Sequence, residues 1–168
     1  MKFKFLATAL MASACLIAPQ AHATDAKDLQ VIGRALSFVE GGATGDITVA
    51  VVYDDGNKAE AESVVALMDG GIKAGKVNMS AKLISVSELG SAGDAAAVFV
   101  PSGMASHYDA IKGSGKLTAT TDKACVQDGA CVVFVQSSPK VEILVSQAAA
   151  AASSVSFAAA FRMMIKEV

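Results

Sequence analysis

Polar side chains that suit a small-molecule site follow three apolar runs of this chain, at residues 47–53, 95–100 and 117–121. Carboxylates, amides and hydroxyls hold polar ligands through hydrogen bonds and charge. In an open parallel sheet, ligands bind beyond the carboxyl ends of the strands, which is where these side chains fall. The candidate ligand-binding residues are Asp54, Asp55, Asn57, Ser102, Gly103, Thr121 and Asp122.

A structural role competes with ligand binding at the first of these loops. Asp54, Asp55 and Asn57 are also residue types that form turns and helix caps. They fit that role equally well, and it is the simpler interpretation of the three residues.

Residues suited to covalent catalysis are close in sequence but not in a pattern that predicts a catalytic triad. Ser102, His107 and Asp109 fall on one short segment, whereas a triad needs groups that converge in space beside an oxyanion pocket. We therefore expect His107 to be an exposed helix residue. No Gly-x-Gly-x-x-Gly or Walker pattern occurs, so no nucleotide cofactor is expected. The sequence predicts a non-enzymatic protein without a cofactor.

Cys125 and Cys131 have a short spacing with Gly129 between them, which favours a disulfide in an oxidising compartment. A metal site is the competing interpretation. It needs two more ligands, and His107 is the only histidine after residue 23. A redox-active pair usually has the tighter C-x-x-C spacing, which is absent. A structural disulfide is the simplest interpretation, and no metal is expected.

The first 23 residues have the pattern of a secretory signal peptide. Lys2 and Lys4 form the positive segment, an apolar stretch follows, and Ala21-His22-Ala23 is an A-x-A cleavage site. Cys15 after Ala12-Ser13-Ala14 offers a lipoprotein alternative, but a leucine is usual where Ala12 stands. We expect cleavage after Ala23, export to the periplasm, and a single domain over 24–168.

The charge balance excludes two classes of partner. The chain has 14 basic and 16 acidic residues, and loss of Lys2 and Lys4 with the signal peptide leaves a net charge of −4. A mildly acidic domain without basic clusters is a poor binder of nucleic acids and anionic membranes. No second apolar stretch approaches the ~20 residues of a membrane span, so direct membrane insertion is not expected.

The elements that position these residues alternate between helices and strands. An amphipathic helix over 25–40 is expected first, with Gly33 packed closely against a neighbour. The apolar, β-branched run 47–53 is typical of a central strand covered on both faces. Strand-helix-strand order then predicts a parallel crossover. The remaining elements expected in this half are a helix over 58–74, strands over 82–86, 95–100 and 117–121, and a helix over 104–112.

The C-terminal part differs in character. Residues 132–136 and 141–145 flank Ser137-Ser138-Pro139-Lys140, which predicts a β-hairpin. An alanine-rich helix over 147–153 is expected, then a last helix beginning near 154 or 156. Its buried stripe is predicted to be Phe157, Phe161, Met164, Ile165 and Val168. The predicted fold class is α/β: a Rossmann-like mixed sheet flanked by helices, with a C-terminal β-hairpin and terminal helices.

The tail carries a family resemblance. Thr121-Asp122, the Cys125 to Cys131 loop, the two hairpin strands and Phe161-Arg162-Met163-Met164-Ile165 together resemble the YfiR-like family of periplasmic regulators. Arg34-Ala35-Leu36-Ser37-Phe38-Val39-Glu40 looks like the helix that opens that domain.

The resemblance implies a regulator that restrains a membrane-bound signalling protein, a diguanylate cyclase or similar sensor protein, by protein contact. Restraint of a diguanylate cyclase lowers cyclic-di-GMP output. Cys125 and Cys131 would match the family's cysteine pair and stabilise the active fold. A homodimer is one arrangement that this interpretation allows.

A second function class remains open. The segment Ile47 to Asp54 also looks like an opening strand of the periplasmic substrate-binding proteins of transporters. This similarity implies a small-molecule-binding module.

Overall fold

A computed structural model describes residues 23–168, and the expected signal peptide, residues 1–23, lies outside them except for its last residue. The described chain forms one eight-stranded sheet with helices on both faces. The strands are β1 (Gly45–Tyr53), β2 (Ile72–Ala74), β3 (Val77–Ser85), β4 (Ala97–Val100), β5 (Thr118–Thr120), β6 (Val133–Gln136), β7 (Glu142–Val145) and β8 (Lys166–Glu167). The α-helices are α1 (Ala26–Leu36), α2 (Lys58–Leu67), α3 (Tyr108–Gly113), α4 (Lys123–Gln127), α5 (Gln147–Ala152) and α6 (Ala159–Arg162).

The sheet has the order β2-β3-β1-β4-β5-β6-β7-β8. The five central strands of this order, β3, β1, β4, β5 and β6, are parallel to one another. β2 runs antiparallel to β3, and β7 runs antiparallel to β6 as the predicted hairpin. The chain passes from β1 to β3 on one side and then to β4 on the other, so the strand order reverses between β1 and β4. The predicted α/β fold class is confirmed.

The alternation of side chains along β1 divides the core into two layers. Val49 and Val51 face α1 and α2, whereas Ala50 and Val52 face the layer that contains α3 and α4. All four side chains are buried, as the continuous apolar run predicted. The parallel strands are therefore covered on both faces, and the carboxyl edge of the sheet is where polar loops gather.

The segment after α2 differs from the prediction. The expected helix over 58–74 ends at Leu67, because Gly70 and Gly71 adopt positive φ angles of 80° and 86°. Residues 72–74 then form β2, and β3 begins at Val77 rather than at Lys82. Leu67, the last residue of α2, is 39% exposed.

The end of the chain also differs from the prediction. The expected long terminal helix is only the short α6, and Lys166–Glu167 pairs with β7 as a strand. Phe157 and Phe161 are buried as predicted, but Met164 and Val168 are 60% and 47% exposed. Their predicted core role is wrong because the helical period ends at Arg162.

The predicted disulfide joins Cys125 in α4 to Cys131, with Cα atoms 5.2 Å apart. Both cysteines are fully buried, and the disulfide joins α4 to the segment that precedes β6. Among the helices of residues 23–168, none is long and apolar enough to cross a membrane.

Candidate functional site

The loops at the carboxyl ends of β1, β4 and β5 lie side by side where the strand order reverses. This topological switch point is the usual ligand site of an open parallel sheet, because the neighbouring loops diverge there. We refer to the surface formed by Asp54, Asn57, Glu60, Ser102, His107, Tyr108 and Asp122 as the carboxyl-edge crevice. It includes four of the seven candidate residues predicted from sequence.

The first loop is a turn closed by its own side chains. Asp54 Oδ1 accepts from the backbone N–H groups of Gly56 at 2.9 Å and Asn57 at 3.0 Å. Asn57 Oδ1 in turn accepts from the Asp54 N–H at 2.9 Å. The turn interpretation therefore fits these residues, whereas no side-chain cap hydrogen bond from Asn57 to α2 is present. The buried Asn57 instead points Nδ2 at the Ser102 carbonyl, at a long 3.5 Å.

The second carboxylate oxygen of Asp54, Oδ2, bonds to a crevice residue from another loop. His107 Nε2 donates to Asp54 Oδ2 at 2.9 Å across 53 residues of sequence. His107 lies in a 3₁₀ turn over Ala105–His107 and is partly buried, so its predicted role as an exposed helix residue is wrong. Burial raises the pKa of Asp54, but the His107 hydrogen bond and the Asn57 and Gly56 N–H groups outweigh it and hold that pKa below its usual value.

A second carboxylate enters the crevice from the β5 side. Asp122 Oδ2 accepts from the Tyr108 hydroxyl at 3.1 Å, while its Oδ1 accepts from the Ala124 N–H at the start of α4. Burial and the neighbouring Asp122 charge raise the pKa of Tyr108. Thr121, the preceding candidate, is only 6% exposed and bonds to Thr24. The tyrosine thus remains a neutral donor that fixes the carboxylate.

The third carboxylate is Glu60 of α2, which is not among the candidate residues predicted from sequence. It is half-buried, and its Oε1 accepts from the Ser102 N–H at 3.4 Å. Burial raises the pKa of Glu60, and the charge of Asp122 raises it further against the opposing Ser102 hydrogen bond. The charge of Asp122 in this part of the crevice therefore disfavours ionisation of Glu60.

The remaining candidate residues lie on the exposed surface rather than in the crevice. Asp55 and Gly103 are exposed on the two loops, and Gly103 has a positive φ of 85° with open space around its Cα. Asp109 is exposed on α3, and His107 pairs with Asp54 rather than with that residue. The groups brought together are oxygen acceptors and N–H or O–H donors, an arrangement that can bind and orient a polar molecule.

Sequence reasoning missed Glu60, His107 and Tyr108. Each follows a strand end by seven or eight residues, on a helix or turn whose rotation depends on packing. Only the topology of the sheet could have indicated these residues. Because β1 and β4 are parallel neighbours, the segments that follow them lie at the same edge of the sheet. In the part of the chain that the structure describes, no three His, Cys, Asp or Glu side chains are arranged to hold a metal ion.

Two depressions lie away from this edge. One of about 640 Å³ is open and lies beside α2 and β3, where Asp46, Glu62, Asp69 and Asn78 are among its lining residues. A smaller apolar one of about 170 Å³ lies near the opposite edge of the sheet, between Leu36, Ile47 and Leu117. The first is lined by polar side chains and the second is mostly apolar, but neither lies at the switch point of the sheet, so volume alone does not identify the better candidate site.

Comparison with known proteins identifies the fold and not a family. No family model and no curated protein matches this chain. The solved structures that resemble it include an ABC domain in complex with L-Trp from Streptococcus pneumonia and a conserved domain protein from Vibrio cholerae O1 biovar El Tor. The first has 13% identity over 85% of this chain with a TM-score of 0.53. The second has 11% identity over 84% of this chain with a TM-score of 0.56.

This chain spans 59% of the length of each of these two proteins. At such low identity the likeness concerns the fold alone: an α/β domain with a mostly parallel sheet flanked by helices.

Proposed function

We propose that this protein is a non-enzymatic binding module for a small polar molecule, which it holds in the carboxyl-edge crevice. The observation that carries the proposal is that Asp54, Glu60 and Asp122 all lie at the carboxyl edge of a parallel sheet, beside its switch point. The likeness to an ABC domain that was solved with L-Trp supports it, because that domain shares the fold. Periplasmic substrate-binding proteins of transporters are the functional class to which this module is closest.

The charges of the crevice favour a ligand with an amino group. Three carboxylates lie at this edge of the sheet, and burial next to Asp122 raises the pKa of Glu60. A ligand ammonium placed between Glu60 and Asp122 would offset their repulsion and lower the pKa of Glu60. Free amino acids and small amines have this group, and the L-Trp of the structural neighbour is one of them.

The periplasm is the compartment that we propose for this activity. The sequence of residues 1–23 predicts export, and the buried Cys125–Cys131 disulfide persists in an oxidising compartment.

The test is a thermal-shift screen of the chain that begins at Thr24, against amino acids and small amines. A ligand at 100 times its dissociation constant adds about 2.7 kcal/mol of stability, which raises the midpoint by roughly 5–10 °C. Hits are then titrated by calorimetry against Asp54→Asn and Asp122→Asn, with Asp109→Asn as a control that removes the same charge from an exposed site on α3.

We expect the two crevice variants to lose at least about tenfold in affinity, or about 1.4 kcal/mol, and the control to bind like the wild type. If no compound shifts the midpoint, or if Asp109→Asn weakens binding as much as Asp54→Asn, the crevice is not the binding site.

A second function is favoured by the exposed end of the chain. We propose, as the alternative, that the protein restrains a membrane-bound diguanylate cyclase, as the YfiR-like resemblance of the tail implies. Met163 and Met164 are 83% and 60% exposed beside the edge strand β8, and exposed apolar side chains suit a protein contact.

Deletion of the gene should then raise cyclic-di-GMP, and Met163→Lys should act like the deletion. Leu83→Lys is the matched control, since Leu83 is a 37% exposed apolar residue on β3. Unchanged cyclic-di-GMP in the deletion strain would eliminate this alternative.

A further inference from the structure

One edge of the sheet is only partly covered by its last strand. On one side, β3 pairs with β1 along its whole length. On the other side, β2 pairs with β3 only over Val77 to Met79. Residues 80–85 of β3 therefore form an open sheet edge, with which no strand of residues 23–168 pairs.

The backbone groups at this open edge follow from the alternation along the strand. The Lys76 carbonyl, just before β3, accepts from the Gly45 N–H of β1 at 2.9 Å. Backbone groups of successive residues point to opposite sides of a strand, so those of Lys82 point to β1 and those of Ala81 and Leu83 point outward. A row of outward N–H and C=O groups is a template for pairing with another strand.

The open depression of about 640 Å³ lies directly beside this edge. Ser80 and Ala81 line it from β3, while the second half of α2 and the turn after it line the other side. Val65 and the buried Met68 add apolar side chains to the lining. A strand edge beside a helix and a groove is the arrangement with which β-augmentation domains bind extended peptides.

The charged side chains of the depression are all acidic. Asp46, Glu62 and Asp69 line it, and none of its described lining residues is a lysine or arginine. Asp46 accepts from Asn78 Nδ2 at 2.8 Å, and Lys58 approaches Glu62 only to 3.9 Å, with both side chains exposed. The carbonyl groups at the C-terminal end of α2 add partial negative charge. The groove is therefore complementary to a cation.

We propose that the open edge of β3 and the adjoining depression bind an extended segment of a partner protein in which basic and apolar side chains point to the same face. The backbone of this segment pairs with the outward groups of Ala81 and Leu83. Its side chains on the α2 side lie in the depression, where a lysine or arginine meets Asp69 and an apolar side chain meets Val65. This surface shares no residue with the carboxyl-edge crevice, so the partner is an addition to the proposed small ligand.

A second copy of this chain is a poorer occupant of the edge. Antiparallel pairing of two β3 edges about a twofold axis would place both α2 helices on one face of the joined sheet, with the two acidic depressions together. The basic residue of the edge, Lys82, cannot compensate, because it is in register with Ala50 and so lies on the face opposite α2. Like charges that face each other weaken association.

The test uses the fluorescent peptide Lys-Thr-Lys-Thr-Val-Thr-Val and the chain that begins at Thr24. One control peptide has Glu in place of Lys, and the other is N-methylated throughout, which removes its backbone donors. We expect saturable binding of the Lys peptide and at least about tenfold weaker binding of both controls. Asp69→Lys should weaken binding of the Lys peptide at least about fivefold, while Asp109→Lys, the same change on α3, should alter it less than about twofold.

Amide hydrogen exchange locates the bound peptide. In the free chain, the amides of Ala81 and Leu83 should exchange faster than those of Lys82 and Ile84, which bond to β1. The Lys peptide should slow exchange at Ala81 and Leu83 and leave the loop at Asp54 unchanged.

Several results would overturn the proposal. They are no saturable binding of the Lys peptide up to about 1 mM, equal binding of the Glu or N-methylated peptide, or slow exchange at both outward amides in the free chain. Sedimentation that shows a dimer, with these amides protected, would assign the edge to a second copy instead. Small-molecule binding at the crevice without peptide binding removes only this inference, and peptide binding without any small-molecule hit removes only the proposed function.

Discussion

Gly33 tests the packing of α1 on the sheet, because replacement by alanine sets two effects of opposite sign against each other. Gly33 is buried in the middle of α1 and faces β2 and β3. A Cβ added there would lie 2.6 Å from the Ala74 Cβ and 2.8 Å from the Met79 Cε. Favourable carbon–carbon contacts lie near 3.5–4.0 Å, so both neighbours would have to move by about 1 Å.

The sizes of these two effects decide whether Gly33→Ala raises or lowers the free energy of unfolding. Alanine is favoured over glycine in a helix interior by about 1 kcal/mol. Overpacking a buried site costs about 1–3 kcal/mol. The Met79 methyl can rotate away, but the Ala74 Cβ moves only with the backbone of β2, which is paired with β3. We therefore take the upper part of the overpacking range and expect a net loss of about 1–2 kcal/mol.

Urea unfolding measures this loss, with Gly113→Ala as the control. Gly113 ends α3 and has no atom within 4 Å of the position that a Cβ would take. We expect the control to be neutral or slightly stabilising and Gly33→Ala to unfold at lower urea with an unchanged m value. If Gly33→Ala stabilises the protein as much as the control does, α1 does not pack on β2 and β3 as described.

Two further predictions concern the disulfide and Asp54. Replacing Cys125 and Cys131 together by alanine should lower the free energy of unfolding by about 2.4 kcal/mol, the loop-closure value for about seven residues; a reductant should destabilise the wild type but not this variant, and equal unfolding of the wild type with and without reductant would contradict the structural role. His107→Ala should raise the pKa of Asp54 toward its ordinary ~3.9, as followed by carboxyl NMR. The wild type should then gain stability over this variant above about pH 4, and lose that gain as the pH falls through the folded pKa of Asp54; an unchanged Asp54 pKa would show that the His107 contact is unimportant.

The central strands could be predicted because their residue types indicate burial on both faces of the sheet. The β-branched run in β1 has no polar face, which only a strand covered on both sides tolerates. The short strand β2 could not be predicted in this way. Its three residues are too few for an alternating pattern, and its existence depends on pairing with β3 after the two glycines end α2.

The C-terminal segment shows a second limit of prediction from sequence. Phe157, Phe161 and Met164 have helical spacing, so a long amphipathic helix was the natural expectation. The chain leaves the helix after Arg162, and the Val168 N–H then bonds to the Val145 carbonyl at 2.9 Å beside β7. Pairing with the edge of the sheet overrides the helical pattern, and Met164 turns to the surface as a result.

The sequence predicted where in the fold the candidate site lies, but not which residues form it. Polar residues after three strands indicated the carboxyl edge, since parallel strands bring their ends together. The partners of those residues, Glu60, His107 and Tyr108, come from helices and turns. How far each helix is rotated depends on packing between distant parts of the chain, and no local pattern encodes it.

The central claim is that a small amino-bearing ligand binds at the carboxyl edge between β1 and β4. The most direct test is amide NMR mapping of the chain that begins at Thr24, titrated with the best compound from the thermal screen. We predict saturable shifts in the loops around Asp54, Ser102 and Asp122, with little change in the apolar depression near Leu36 and Leu117 at the other edge. Saturable shifts confined to that opposite edge, or to the depression beside α2 and β3, would contradict the claim.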